Sequence, residues 1–381
     1  MTERFDILMV VSHLGAGGTQ RVVCALANSW SRAGYRVGIV SRQPGGESAF
    51  PLDATVKQLC LPDRLSSRRL LYVITAFKVV RWALLFRALV KRSGCPVVVS
   101  FIRSTNVCVV LACLGLRNTQ VIVSERNDPE RQDLGRSAPF WNWLSRQLYR
   151  HADVVTANNR GALSAMATYV PREKLVFAPN PLSVPATQDA IALQGPTILA
   201  VGRLVPQKAY DTLLFAFAKV AAAEPAWQLC VLGGGPLRTE LEARTMRLEL
   251  DRQVLWAGHV SDPFPYYKGA DIFVMSSRYE GTPNALLEAM SCGLSVVVTD
   301  ASPGPLELVE DGVTGLVVPV DDDAALASAV LRLIRDPDLR QRLGGQARAR
   351  VVEFQPERAI AVWNSIVGLA KDPASTSLQS V

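Results

Sequence analysis

The same order of structural elements occurs once in each half of this sequence, and it restricts the fold to a narrow class. In the first half, an apolar strand at residues 7–11 is followed by a glycine loop, an amphipathic helix at 19–32 and a second strand. In the second half, a strand at 197–201 is followed by a polar loop, a helix at 211–223 and another strand. A strand that leads through a helix into a parallel strand is the unit of α/β sheets. The sequence therefore predicts an α/β protein with two Rossmann-like domains facing each other across a cleft.

A change in composition marks the predicted boundary between the domains. Between residues 178 and 196, four prolines and several polar residues replace the apolar runs, which is typical of a linker. We therefore expect a first domain at 1–185 and a second at 196–355, and a chain of 381 residues is long enough to bury two cores. The polar end of the chain, 371–381, is expected to be disordered.

The strongest chemical signal lies between two glutamates, Glu280 and Glu288. An apolar strand at 271–276 leads into a turn at 281–284, and good helix formers follow as far as Met290. The separation of the glutamates corresponds to roughly two helical turns, so their carboxylates can reach different parts of one ligand. The alternative is that Glu280 only favours the positive end of the helix while Glu288 is a solvated surface charge.

Two loops at strand ends offer sites for phosphate groups, because ligands of open parallel sheets bind beyond the carboxyl ends of the strands. In the second half, Arg203 and Lys208 stand between a strand and a helix, where they can bind a diphosphate or remain solvated. In the first half, Gly17 and Gly18 open a helix, but Gln20 stands where a dinucleotide-binding motif needs its third glycine. A nicotinamide enzyme is therefore not predicted, and the glycines can equally form a turn needed for packing.

Together these motifs resemble the family-4 retaining glycosyltransferases of the GT-B fold. The resemblance is carried by the run from Glu280 to Glu288, by the paired glycines, and by the Arg203 and Lys208 loop. In that loop Ala209 replaces the family's last glycine and is expected to tighten the turn. The resemblance implies that Glu288 holds the ribose of a nucleotide sugar and that Glu280 lies beside the transferred sugar. The implied catalytic residues are Glu280, Arg203 and Lys208, and the implied donor-binding residues are Gly17, Gly18, Arg203, Lys208, Gly281, Thr282, Pro283, Asn284 and Glu288.

The resemblance extends over most of the chain. It includes the motifs at 124–129 and 302–305, and the combination looks most like bacterial enzymes that build exopolysaccharide, lipopolysaccharide or lipid-linked oligosaccharide. Many relatives carry a histidine that contacts the donor sugar in the loop after residue 125, but Arg126 stands here, so that role is not transferred. The resemblance also implies that the last helix, at about 356–370, packs back on the first domain.

Charge is distributed unevenly between the two halves. Residues 1–190 contain 24 Lys and Arg against 12 Asp and Glu, whereas residues 191–381 contain 17 against 22. Between Asp63 and Glu125 there are ten basic residues and no acidic one. A basic first half indicates an anionic partner, either a membrane surface or a nucleic acid.

The centre of this acid-free segment favours the membrane. Residues 70–90 are nearly long and apolar enough to span a bilayer, but three basic residues fall inside the run. We instead expect a basic helix at 68–92 that lies on the membrane surface, with Leu84 on its apolar side and Trp82 and Phe86 alongside. The alternative is a half-buried helix with a solvated charged side. The residues assigned to the acceptor or the membrane are Arg68, Arg69, Lys78 and Arg81.

Other features exclude further classes of protein. The first apolar run is too short for a signal peptide, so a cytoplasmic protein, peripheral on the inner face of the cell membrane, is expected. Seven cysteines without a CxxC pair indicate buried reduced thiols, and the three histidines do not recur at metal-ligand spacing. The acidic triplet 321–323 is interpreted as a helix N-cap rather than a metal-binding motif. No metal or other cofactor is therefore expected.

The sequence thus predicts a metal-independent retaining hexosyltransferase of bacterial surface glycan biosynthesis. The expected partners are a nucleoside-diphosphate sugar, with UDP-hexose favoured over GDP-mannose, a polyprenyl-diphosphate-linked glycan or other lipid-linked acceptor, and an anionic membrane; no nucleic acid is expected. Two alternatives stay open: a sugar-nucleotide epimerase or hydrolase of the same fold, and a noncatalytic nucleotide-sugar-binding subunit.

Overall fold

The chain forms two compact α/β units, in agreement with the predicted fold class. The computed structural model describes residues 3–15, 17–43, 48–61, 71–126, 138–182 and 189–369, except for the side chains of 71–78 and 353. Unit 1 comprises 1–181 together with 357–381, and unit 2 comprises 182–356. Since 371–381 lie outside the described residues, the predicted disorder of this tail stays a prediction.

Unit 1 contains a parallel sheet of seven strands in the order β3-β2-β1-β4-β5-β6-β7. Its strands are β1 (Ile7–Val11), β2 (Val37–Ser41), β3 (Lys57–Cys60), β4 (Val97–Phe101), β5 (Gln120–Glu125), β6 (Val154–Ala157) and β7 (Leu175–Phe177). The central strands β1, β2 and β4 are buried along almost their whole length, as expected for parallel strands covered on both faces. The strand order reverses direction between β1 and β4, which makes this point of the edge the switch point of the sheet.

Helices cover both faces of this sheet. They are α1 (Gly18–Arg32), α2 (Leu71–Ser93), α3 (Arg103–Cys113), α4 (Ala138–Leu148) and α5 (Arg160–Met166). One core contains residues of α2 and α3, among them Trp82 and Phe86, whose rings stack 5.0 Å apart between centroids. The other core contains the apolar face of α1 and lies against the opposite side of the strands. None of the helices in the described part of the chain is long and apolar enough to cross a membrane.

Unit 2 repeats the same topology with six parallel strands in the order β10-β9-β8-β11-β12-β13. The strands are β8 (Thr197–Val201), β9 (Gln228–Leu232), β10 (Val254–Gly258), β11 (Ile272–Met275), β12 (Ser295–Thr299) and β13 (Leu316–Val318). The helices are α6 (Tyr210–Ala223), α7 (Arg238–Arg247), α8 (Phe264–Gly269), α9 (Asn284–Ser291), α10 (Pro303–Leu308), α11 (Asp323–Arg335) and α12 (Pro337–Arg350). The direction of strand order reverses between β8 and β11, so the switch point of unit 2 lies where these two strands end.

Local capping explains where the late helices begin. Asp322 caps α11 by accepting the backbone N–H of Ala325 at 2.8 Å, so the N-cap interpretation of the acidic triplet is confirmed. The next helix, α12, begins at Pro337. Asp336 caps it through the N–H of Leu339 at 2.9 Å, and proline at the first helical position costs no hydrogen bond.

The last helix, α13 (Pro356–Ile366), packs into the core of unit 1. Trp363 is fully buried there, and its indole N–H donates to the carbonyl of Pro179 at 3.2 Å. The indole of Trp30 on α1 donates to the amide oxygen of Asn364 at 2.9 Å. Helix α13 is therefore part of the core of unit 1.

All seven cysteines are free thiols, as the sequence analysis expected. Five are buried: Cys24, Cys95, Cys108, Cys113 and Cys230. Cys292 is half-buried, and Cys60, at the end of the edge strand β3, is exposed, which the apolar surroundings in the sequence did not indicate.

Candidate active site

The predicted donor-site residues of unit 2 meet at the switch point of its sheet. The loop after β8, residues 202–209, and the loop after β11, residues 276–283, are held together by hydrogen bonds. The backbone N–H of Arg278 donates to the carbonyl of Gln207 at 2.7 Å, and the Gln207 side chain donates to the carbonyl of Tyr279 at 2.8 Å. The two loops therefore form one wall of a site at the edge where ligands of parallel sheets bind.

The central contact of this wall is an ion pair between Lys208 and Glu280. The Lys208 ammonium lies 2.5 Å from Oε1 of Glu280, and the side chains are only 16% and 8% exposed. Sequence analysis assigned both residues to catalysis but did not predict that they bind each other. Tyr210, the first residue of α6, is buried nearby, and its burial together with the charge of Glu280 raises the pKa of its phenol above the ordinary range.

Arg203 differs from Lys208 in its surroundings. It is exposed and forms no ion pair with any residue in the described ranges, so its guanidinium is available to an anion from solution. The loop closes through Ala209, whose backbone is left-handed with φ +48° and ψ +43°. Ala209 thus keeps the backbone conformation that favours glycine, and the expected tightening of the turn stays a prediction.

Ser302 fixes the backbone on both sides of Glu280. Its hydroxyl accepts the Glu280 N–H at 2.9 Å and donates to the Glu280 carbonyl at 2.6 Å. Two residues later, Gly304 lies so close that an added Cβ would be 1.8 Å from the carbonyl oxygen of Gly281. The segment from Ser302 to Gly304 therefore holds the loop that carries Glu280, and only glycine fits at 304.

Glu288 lies on α9, the helix that follows this loop, and is only 5% exposed. The buried Tyr267 hydroxyl donates to its Oε2 at 3.0 Å. The ring of Tyr267 is fixed in turn by edge contacts with Phe264 and a tilted contact with Phe273, at centroid distances of 5.7 and 6.0 Å. Glu288 is therefore not a solvated surface charge, and that alternative is wrong. Glu280 is also buried, but it is paired with Lys208 and precedes the helix start, so its interaction with the positive end of the helix is not contradicted.

The N-terminus of α9 completes this side of the site. Gly281, Thr282 and Pro283 are buried and Asn284 is half-buried, and Pro283 occupies the N-cap position without a side-chain cap. An uncapped helix start favours an anion, because backbone N–H groups and the positive end of the dipole point out of it. Four of the nine residues that the resemblance assigned to donor binding thus lie at one helix start.

A neighbouring glycine loop packs on the backbone of the Arg203 loop. Gly233 has φ +135°, and an added Cβ would lie 1.9 Å from the carbonyl oxygen of Gly202. The N–H of Gly202 donates to Leu232, and the N–H of Leu204 donates to Gly234, both at 2.9 Å. Backbone contacts with residues 232–234 therefore hold the loop at 202–204 in place.

In unit 1, the paired glycines lie where the sequence places them, at the start of α1. Gly18 is exposed, and Gly17 is the N-cap with an ordinary extended φ of 171°. An added Cβ at Gly17 would meet the side-chain oxygen of Gln20 at 2.3 Å. The glycine therefore provides space for the Gln20 side chain, which supports the packing interpretation beside the donor-binding one.

Beside them, at the ends of β4 and β5, lies a buried polar network that sequence analysis missed. The hydroxyl of Tyr149 donates to Glu125, and the Asn106 amide donates to the same carboxylate oxygen at 3.3 Å. The guanidinium of Arg103 lies 3.8 Å from the other oxygen. Burial and the charge of Glu125 raise the pKa of the Tyr149 phenol. Arg103 was counted among the basic residues of the acid-free segment, but it is 1% exposed and neutralises Glu125, so it faces no external partner.

Arg126, the residue in place of the relatives' histidine, is also buried. Its guanidinium lies between the rings of Phe101 and Trp363, at 5.4 and 5.1 Å from their centroids. Its Nη1 donates to the side chain of Asn180 at 2.6 Å. Burial lowers the pKa of Arg126 to about 9. In this conformation the side chain binds protein groups rather than presenting itself to a ligand.

Helix α2 is half-buried, with an exposed side that is both apolar and basic. Trp82 and Phe86 belong to the core and do not lie along the exposed apolar side as predicted, because sequence periodicity does not reveal which side faces the protein. Arg87 turns inward and donates to the carbonyls of Ala112 and Leu114 at 2.8 and 2.7 Å. The exposed side consists of Val80, Arg81, Leu84, Leu85, Lys91 and Arg92, with Leu84 62% exposed. Arg68 and Arg69 lie outside the described residues, and Lys78 is described only in its backbone.

Within the described ranges, no three histidine, cysteine or acidic side chains gather into a group that could hold a metal ion.

The side chains of the candidate site that sequence analysis missed are Tyr210, Tyr267 and Ser302. Ser302 stands in a motif that the resemblance did identify, but the tyrosines carry no local signal that relates them to the glutamates.

Comparisons with known proteins identify relatives of this chain among glycosyltransferases. A family profile described as a glycosyl transferase 4-like domain matches residues 17–181, and one described as glycosyl transferases group 1 matches 187–350. The chain is 26% identical, over 96% of its length and 99% of the relative's, to the GalNAc-alpha-(1->4)-GalNAc-alpha-(1->3)-diNAcBac-PP-undecaprenol alpha-1,4-N-acetyl-D-galactosaminyltransferase of Campylobacter jejuni. It is 34% identical, over 41% of its length and 45% of the relative's, to the lipopolysaccharide core biosynthesis glycosyltransferase LpsE of Rhizobium meliloti.

The fold is similar to that of solved glycosyltransferase structures. Anabaena HepE in complex with UDP and glucose superposes with a TM-score of 0.74 at 17% identity, covering 96% of this chain and all of that one. Two glycosyltransferase profiles thus account for nearly the whole length of both α/β units. The chain belongs to the family-4 glycosyltransferases of the GT-B fold.

Proposed function

We propose that this glycosyltransferase moves a hexose, with retention of anomeric configuration, from a nucleoside-diphosphate sugar to a lipid-linked glycan in bacterial surface glycan biosynthesis. UDP-hexose is the favoured donor and GDP-mannose the second candidate. The observation that carries the proposal is the Lys208–Glu280 ion pair at the switch point of unit 2, together with the buried Glu288 on the helix that follows the Glu280 loop. The cation can bind the diphosphate of a nucleotide sugar, and the two buried carboxylates can bind its ribose and its transferred sugar.

Departure of the nucleotide develops negative charge on the diphosphate, and three groups of this chain can stabilise it. The exposed guanidinium of Arg203 can bind two phosphate oxygens, and Lys208 adds a compact positive charge. The uncapped start of α9 adds backbone N–H donors. Charge-assisted hydrogen bonds contribute about 1.5–3 kcal/mol each, so these groups can supply charge stabilisation without a divalent ion. We therefore propose a metal-independent reaction with no cofactor.

The two carboxylates have separate roles in this proposal. Glu288 accepts the ribose hydroxyls, since its carboxylate is buried on a rigid helix and oriented by Tyr267. Glu280 lies beside the transferred sugar, at a fixed place because Ser302 holds its backbone. Gly17 and Gly18 are proposed to lie near the donor phosphates at the corresponding edge of unit 1.

The acceptor assignment is supported by the exposed side of α2. Val80, Leu84 and Leu85 offer apolar surface beside the cations Arg81, Lys91 and Arg92. Such a helix side suits an anionic lipid surface, where each basic residue contributes about 1 kcal/mol. The name of the Campylobacter jejuni relative describes a PP-undecaprenol-linked glycan, which is the class of acceptor proposed for this chain. The protein is accordingly placed, as a proposal, on the inner face of the cell membrane.

An incubation with radiolabelled UDP- and GDP-sugars and a bacterial lipid extract tests the proposal against its alternatives. Label that moves into the lipid phase supports the transferase. Release of free sugar or conversion of the nucleotide sugar would favour the hydrolase or the epimerase, and binding without turnover would favour a noncatalytic subunit. The Glu280→Gln variant serves as the control for contaminating transferases. The anomeric configuration of the lipid product, measured by NMR spectroscopy, tests retention.

A further inference from the structure

In the proposed reaction Lys208 has two possible anionic partners, Glu280 and the donor diphosphate, and in this structure it binds Glu280. Its ammonium contacts Oε1 of Glu280, with both side chains largely removed from water. The backbone of each residue is also fixed. Ser302 bonds to both sides of Glu280, and the hydroxyl of Ser276 donates to the carbonyl of Lys208 at 2.8 Å. A change of partner at this pair therefore needs only rotation of the lysine side chain.

The ion pair has an energetic reason to exist before the donor binds. A buried carboxylate without a partner is costly, and removal of one member of a buried pair leaves the other uncompensated. No other cation lies within ion-pair distance of Glu280 among the described residues. Lys208 is thus the group that neutralises Glu280 in this structure.

We propose that Glu280 and the donor diphosphate compete for Lys208, so that Glu280 lowers the affinity of the protein for nucleoside diphosphates. When the donor binds, the ammonium turns to the diphosphate, and Glu280 becomes an uncompensated carboxylate beside the transferred sugar. This inference rests on the proposed function, because it takes the diphosphate to bind at Lys208. After transfer, the carboxylate draws the ammonium back and favours release of the nucleotide.

The competition has a clear physical alternative. A lysine ammonium carries three N–H donors, so it can in principle bind a carboxylate and a phosphate oxygen at once. In that case Glu280 would orient Lys208 for the diphosphate, and removal of the carboxylate charge would weaken nucleotide binding or leave it unchanged. The sign of the change in affinity therefore distinguishes competition from cooperation.

Titration calorimetry with UDP and GDP on four proteins tests the sign. They are the wild type, Glu280→Gln, Lys208→Met and the double variant. Competition predicts that Glu280→Gln binds the nucleotide at least about tenfold more tightly, since the charge-assisted hydrogen bond between ammonium and carboxylate no longer has to be given up. Lys208→Met should bind more weakly, and the double variant should bind like Lys208→Met, because Glu280 then has no ammonium to withhold.

Two comparisons protect this test. Glu310→Gln removes an exposed acid of the same unit and should leave the affinity unchanged, so it corrects for a general effect of net charge. If Glu280→Gln does not fold, as judged by its melting temperature, Glu280→Asp withdraws the carboxylate from the ammonium and should also bind more tightly. Equal or weaker binding by the folded Glu280 variant overturns the inference alone. Failure of the wild type to bind either nucleotide would refute the proposed function as well.

Discussion

Replacement of Glu288 by glutamine should separate ribose recognition from every other contact of the donor. The carboxylate is 5% exposed, so its hydrogen bonds are hardly screened by water. An ionised carboxylate has about four acceptor positions, so the hydrogen bond from Tyr267 to Oε2 is compatible with acceptance of two ribose hydroxyls. Two charge-assisted hydrogen bonds of about 1.5–3 kcal/mol each correspond to a loss of roughly a hundredfold or more in affinity for UDP or GDP.

Calorimetry with a ribose and a 2′,3′-dideoxyribose nucleoside diphosphate measures this loss. The wild type should bind the dideoxy compound as weakly as Glu288→Gln binds the ribose compound, and the variant should not distinguish the two ligands. The matched variant Tyr267→Phe keeps the carboxylate and should lose less affinity than Glu288→Gln, because it removes one orienting hydrogen bond and leaves both carboxylate oxygens that accept the ribose hydroxyls. A Glu288→Gln protein that still prefers the ribose compound would refute the ribose assignment.

Three further outcomes are expected. Sugar transfer should persist in EDTA and be lost when Arg203 and Lys208 are both changed to Ala, whether or not Mg²⁺ is added; loss in EDTA with recovery in Mg²⁺ would contradict the role of the two cations. Sedimentation with anionic liposomes should decrease between about 0.05 and about 0.5 M salt, because the Debye length falls well below ~10 Å. The Arg81→Glu variant should sediment less with these liposomes than the control variant Arg172→Glu, which changes an exposed arginine outside the acid-free segment. Equal sedimentation with neutral liposomes would count against the membrane role of α2. Gly304→Ala should lower the free energy of unfolding by about 1–3 kcal/mol, read as a lower melting temperature, because its methyl group would collide with a backbone carbonyl; an unchanged melting temperature would mean that this loop is not held as described.

Sequence analysis predicted those parts of the fold that depend on local patterns. Buried parallel strands are continuous apolar runs, so β1 at Ile7–Val11 and β8 at Thr197–Val201 could be placed to the residue. The loops that follow these strands had to lie at the ligand-binding edge. The assignment of Arg203, Lys208 and Glu280 to one catalytic site also depended on the resemblance to the glycosyltransferase family, which implied their roles.

The parts that sequence analysis missed depend on contacts between distant segments. Nothing near Tyr267 indicates that its hydroxyl reaches Glu288, because the contact is made by the packing of α8 against α9. Arg103 resembles a surface cation until the fold brings Glu125 and Tyr149 to its side. Charge counts along the chain therefore overestimate how many cations face outward, since a cation can be neutralised by a residue of another strand.

The same limit explains the error at α2. Apolar residues occur around the whole circumference of this helix, so its period could not show whether Trp82 or Leu84 faces the core. Packing against α3 decides the question in favour of Trp82 and Phe86. The apolar residues of α2 that do not pack in this core remain exposed, and they are therefore candidates for contact with lipid.

The positions of the cysteines allow the opening of each unit to be followed by thiol labelling of the unmodified chain. Burial raises the pKa of Cys95 and Cys113 to about 12 and that of Cys230 to about 11, so these groups carry almost no thiolate at neutral pH. The exposed Cys60 at the end of β3 should react first with a maleimide dye. Slower labelling of Cys95 and Cys113 would then time the opening of unit 1, and labelling of Cys230 that of unit 2, without any engineered cysteine.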